Sequence, residues 1–82
     1  MLFRSQAIQS KKIKELEANG YYVIKLIVTN KTGIPDLIAI PKDSDIKFIE
    51  VKTEKGKVSK LQEYRIKELK SHGIEVEVYR GT

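Results

Sequence analysis

The segment Pro41 to Asp45 (PKDSD) constrains this chain more than any other, because it joins two strand-like runs through only five residues. Antiparallel strands can be linked that tightly, whereas parallel strands need a crossover of a dozen or more residues. Asp36 to Ile40 (DLIAI) precedes the segment, and Ile46 to Thr53 (IKFIEVKT) follows it. A register symmetric about residue 43 pairs Ile40 with Ile46 and Asp36 with Glu50. Two carboxylates then stand opposite each other on one face, their Cβ atoms about 4.5–5.5 Å apart. Like charges so opposed destabilise a sheet. Either one of them is protonated, or a divalent cation compensates both. Two carboxylates, a backbone carbonyl and several waters suit magnesium or manganese. Lys52 follows Glu50 by two residues and projects from the same face. Its ammonium can stabilise negative charge developing on a phosphate or position a water. Taken singly, Glu-x-Lys is an ordinary ion-paired strand face and Asp36 an ordinary residue after Pro35. The combination of all three assembles a hydrolytic site in which a bound cation activates water and polarises the phosphate.

The rest of the chain reads as α-β-β-β-α-β. Arg4 to about Asn19 has helical periodicity and ends at Gly20, where a glycine suits the turn out of a helix. Ile8, Ile13 and Leu16 form its apolar stripe, yet Ser5, Gln9 and Lys12 fall inside the same arc. Either this helix covers a polar pocket or its phase is shifted. Tyr21 to about Thr29 (YYVIKLIVT) is a strand by composition, with its tyrosines as sheet and core residues. A turn follows at Asn30–Gly33, and Pro35 keeps Ile34 extended. After Glu54–Val58, Ser59-Lys60-Leu61-Gln62 is a capping box that opens a second helix running to about His72. Leu61, Ile66 and Leu69 make its stripe, with Gln62 and Arg65 inside it. In the last strand, Ile74, Val76 and Val78 are expected to face inward. The first three strands form an antiparallel meander, and the second helix returns the fourth strand parallel to the third. The fold class is α/β (α+β), with helices covering a mixed sheet.

Composition narrows the function classes. With 82 residues the expectation is one domain spanning 1–82. No cysteine is present and only one histidine, which removes disulfides, thiolate metal sites and zinc sites built on several histidines. No run approaches the ~20 apolar residues of a membrane span, so a soluble cytoplasmic chain is expected. Sixteen Lys and Arg against 11 Asp and Glu give a net charge of +5, which favours a polyanionic partner. Lys52, Lys55, Lys57 and Lys60 concentrate that charge beside the acids. Lys31, Lys55, Lys57 and Lys60 are the candidate phosphate contacts. Arg65 either joins them or caps the acids of the site.

The fragments GIPDLIAI and FIEVKTEKGKVSKLQ, in this order and spacing, resemble the PD-(D/E)XK nuclease superfamily and, within it, the VRR-NUC family. The resemblance runs from the first helix through Arg80. It implies a restriction-endonuclease-like αβββαβ core and metal-dependent cleavage of DNA that leaves a 5′ phosphate. Small standalone members are similar to phage and bacterial Holliday-junction resolvases, so it also implies a homodimer acting on four-way junctions in a bacterial or phage-infected cell. Under it, Asp36 and Glu50 bind Mg²⁺ or Mn²⁺ with the Val51 carbonyl, Lys52 is the catalytic lysine, and Gln62 reaches the site from the second helix. One position departs from the pattern: Ser5 stands where such nucleases often carry a first-helix glutamate, with Gln6 and Gln9 as weaker oxygen ligands nearby. That departure keeps a second reading open, a branched-DNA-binding module that cuts poorly. A flap or single-strand nuclease is a variant of the first.

Overall fold

The computed structural model describes residues 4–81 and arranges them as α1 (Arg4–Ala18), β1 (Tyr22–Lys25), β2 (Leu37–Ile40), β3 (Lys47–Thr53), α2 (Lys60–Ser71) and β4 (Glu75–Gly81). The strands form one mixed sheet in the order β1-β2-β3-β4, antiparallel except for the β3–β4 pair that α2 connects. This is the α+β arrangement expected, with a helix on each side of the sheet. Leu37 lies opposite Ile49, Ile38 opposite Phe48 and Ala39 opposite Lys47, the register symmetric about residue 43.

Local chemistry sets the helix ends. Gly20 takes a φ of 90° after α1, a conformation that costs a residue without Cβ little. This lets the Tyr21 N–H donate back to the Leu16 carbonyl at 3.0 Å. At the start of α2 both bonds of the capping box form between Ser59 and Gln62.

One face of the sheet carries the core. Ile8 and Leu16 of α1 pack on Leu37, Ala39, Ile49 and Val51, and all six are buried. Ile13, Tyr21, Val23 and Tyr79 pack around them. The helical phase read from the sequence is correct, and the polar residues in its arc have specific surroundings. Lys12 is buried, with its ammonium 4.3 Å above the centre of the Tyr79 ring and 3.1 Å from Glu15. Gln9 lines a cleft described below.

The opposite face is thinly covered. Helix α2 packs mainly along β4 and buries no residue completely. Three expectations change as a result. The strand expected over 21–29 ends at Lys25. The Leu26 N–H still reaches the Asp36 carbonyl at 2.8 Å. Beyond it, the partner chain turns away through Gly33 and Pro35, and Pro35 has no N–H to offer. Ile27 and Val28 are therefore exposed. Val78 is 38% exposed and Tyr22 70%, not turned into a core. Among the described residues, no helix is long and apolar enough to cross a membrane.

Candidate functional site

Asp36 immediately precedes β2, and Glu50 and Lys52 occupy one face of β3. Continuing the β2–β3 register by one residue sets Asp36 opposite Glu50. The Asp36 carboxylate leans along the strand, and its Oδ2 accepts the Val51 N–H at 2.9 Å. A main-chain donor thus holds this carboxylate beside that of Glu50.

Glu50 is only 2% exposed, an unusual position for a carboxylate. Its Oε2 lies 3.4 Å from the Lys52 ammonium and accepts from Gln62 Nε2 at 3.2 Å. Its Oε1 is buried without a hydrogen-bond partner. Burial and the neighbouring Asp36 carboxylate push the Glu50 pKa up to about 7, against the opposing pull of Lys52. Protonation and cation binding, the two remedies open to facing carboxylates, are both available to such a group.

The Gln62 amide is oriented by the helix cap. Its Oε1 accepts the Ser59 N–H at 3.0 Å, while the Gln62 N–H donates to Ser59 Oγ at 3.1 Å. With the amide oxygen taken, only the NH₂ group is left to face Glu50. The capping box therefore both starts α2 and aims a donor into the site. The cleft beside these groups encloses about 270 Å³ and is lined by Gln9, Asp36, Glu50, Val51, Lys52, Thr53, Gly56, Lys57 and Gln62. It is a polar recess formed by the end of β3, the loop after it and helices α1 and α2.

The other sequence candidates divide. Lys57 lines the cleft, and Lys55 and Lys60 are exposed around it. Lys31 is exposed on the loop before β2, lining one hollow with Arg65 and Glu68 and another with Asp36. Arg65 does not cap the acids. Its Nε donates to the Thr32 carbonyl at 2.9 Å and its Nη1 to Glu68 at 2.7 Å. The aliphatic stem of Arg65, together with the Leu61 side chain, lies against Gly33, where a Cβ would come within 2.9 Å of Leu61 and φ is +88°. Glycine there allows the loop leading into Asp36 to sit against α2. The Ser5 side chain lies outside the described residues. Among the described residues, no group of three His, Cys, Asp or Glu side chains comes together.

Sequence reasoning missed Arg80. Its guanidinium donates to the carbonyls of Thr53, at 3.4 Å, and Gly56, bracing the loop that carries Lys55 and Lys57. Its partners lie 24 and 27 residues earlier, so no local pattern could reveal it.

Asp36 and Glu50 offer hard oxygen donors on one recess, one buried carboxylate oxygen has no partner, and a lysine stands alongside. This donor chemistry fits a hard divalent cation such as Mg²⁺ or Mn²⁺.

Comparison with known proteins agrees with the fold. No match is found among curated proteins. The profile of the VRR-NUC domain matches residues 2–82. A solved structure described as a VRR_NUC domain superposes with a TM-score of 0.86 at 29% identity, over 99% of this chain and 87% of that one. This chain belongs to the VRR-NUC family of nuclease domains.

Proposed function

We propose that this chain is a divalent-cation-dependent endonuclease that hydrolyses phosphodiester bonds in branched DNA, with four-way junctions as substrate and a homodimer as the working form. The observation that carries this reading is the buried Glu50, with an unpartnered oxygen, beside Asp36 and Lys52. Asp36, Glu50 and the Val51 carbonyl would hold Mg²⁺ or Mn²⁺. When bound, such an ion polarises a phosphate and lowers the pKa of a coordinated water.

The chain's own residues do the rest. Val51 N–H keeps the Asp36 carboxylate in place. Gln62 keeps Glu50 oriented without using the unpartnered oxygen. The Lys52 ammonium, 18% exposed, is close enough to the cleft to donate to a phosphate oxygen as negative charge builds on it. Lys55, Lys57 and Lys60 would offer phosphate contacts around the cleft, with Lys31 and Arg65 farther out in a separate hollow. Such contacts make binding fall steeply with salt. A second copy related by two-fold symmetry would present two sites to one junction. The exposed apolar side chains of Tyr22, Ile24, Ile27 and Val28 along the β1 edge offer it a surface.

The test is cleavage of a labelled four-way junction and its matched duplex with Mg²⁺, Mn²⁺ or EDTA, alongside Asp36→Asn. Paired nicks confined to the junction, requiring both metal and Asp36, are expected. Salt-sensitive binding without cuts under either metal would replace the enzyme by a DNA-binding module. Cuts that persist in Asp36→Asn would refute the site.

A further inference from the structure

Two carboxylates and one backbone carbonyl leave a hard cation short of protein ligands, and the described residues bring no third acid to the cleft. Helix α1 crosses the same cleft and contributes Gln9. Among the described residues, the buried side-chain polar atoms left without a hydrogen-bond partner are Gln9 Oε1 and Glu50 Oε1, and both residues line this one recess. Unpartnered buried oxygens are uncommon in folded proteins, and each calls for a ligand, a water or an ion. With Glu50 ionised, neither of these oxygens can donate to the other, so a species that accepts electron pairs from both would resolve the two at once. Amide carbonyls are ordinary ligands of hard divalent cations.

We infer that Gln9 supplies a neutral oxygen ligand, from helix α1, to the cation held by Asp36 and Glu50. The inference rests on the cation-dependent reading of the site. It also gives a role to a polar residue in the inward arc of an amphipathic helix, where packing alone would favour an aliphatic side chain. The site then carries two negative charges from side chains, with its third side-chain ligand neutral.

The test is calorimetric titration of the DNA-free, full-length chain with Mn²⁺ at pH 8, for wild type, Gln9→Leu, Gln9→Glu and Asp36→Asn. Urea midpoints taken on the same samples confirm that each is folded. Gln9→Leu is expected to weaken Mn²⁺ binding by about tenfold. Gln9→Glu, which keeps an oxygen in place and adds charge, is expected to tighten it. Asp36→Asn is expected to remove it. If Gln9 acted only as an amide donor that steadies Glu50, both Gln9 substitutions would weaken binding, and the inference would fall. It would fall equally if both bound as wild type while Asp36→Asn lost the ion, and in that case the nuclease reading would stand. Absence of Mn²⁺ binding in wild type would overturn both.

Discussion

The two faces of the sheet are built on opposite principles. On the α1 face, Leu37, Ala39 and Ile49 are completely excluded from solvent, and Ile8, Leu16 and Val51 nearly so. On the α2 face the most deeply buried strand side chain is a carboxylate, Glu50, while Tyr22 stays largely exposed and Ile24 and Val78 partly so. Hydrophobic burial stabilises the first face. The second gives up part of that gain to keep two acids, a lysine and an amide around a recess. A small sheet can support such a site because its other face is packed densely enough to hold the backbone in place.

The largest expected effect comes from breaking the packed face. Ile49→Ala should cost about 2–5 kcal/mol, much of the ~5–15 kcal/mol that stabilises a typical domain. The urea midpoint should fall steeply, with cleavage lost only as a consequence of unfolding.

A substitution on the other face should have the opposite sign. Glu50 has a folded pKa of about 7 against an ordinary 4.5. A raised carboxylate pKa means its protonated form favours folding. That contribution is fully present below about pH 4.5 and is lost as pH rises through about 7. The metal-free protein should therefore lose stability across this window by an amount that Glu50→Gln removes. At pH 8 Glu50→Gln should be more stable by roughly 2–3 kcal/mol, yet unable to cut. Urea titrations of both proteins at pH 5 and pH 8 measure this, and a parallel pH response in the two would contradict it. Mg²⁺ should restore stability to wild type at pH 8 and do little for Glu50→Gln.

Ser59→Ala joins the two roles in one residue. Loss of the cap should cost about 1 kcal/mol. The Ser59 N–H that holds the Gln62 amide is main chain and survives the substitution, so cleavage at saturating metal should drop only as far as loss of the Ser59 Oγ acceptor loosens the first turn that carries Gln62. Unchanged cleavage would separate the cap from the site.

The smallest effect is expected at the bare edge. Tyr22→Ser should change monomer stability by less than about 0.5 kcal/mol, since the ring is 70% exposed. Sedimentation across a concentration series would show whether it loosens a dimer. An unaltered dimer would move the interface away from β1.

Much of the site could be read from residue order because its parts are tied by short connections. The five-residue hairpin leaves little choice of register, and that register brings Asp36 and Glu50 together. Ser59 and Gln62 recognise each other within one helical turn. The polar residues inside the α1 stripe left a recess and a shifted helical phase equally open, and did not tell which of them would line a recess. Long-range features were hidden. Arg80 braces a loop more than twenty residues away. The end of β1 was misread because β-propensity is local, whereas a strand continues only while its partner does.

The sequence by itself determined the order of elements, the pairing of β2 with β3, the helix caps and the alternation that sets Glu50 and Lys52 on one side. Each of these depends on contacts within a turn or across a tight hairpin. Only the tertiary structure decided how deeply Glu50 is buried, which glutamine of α1 reaches the cleft, and which apolar side chains remain uncovered. Those depend on where α1 and α2 lie across the sheet, which is a balance of packing summed over residues far apart in the chain.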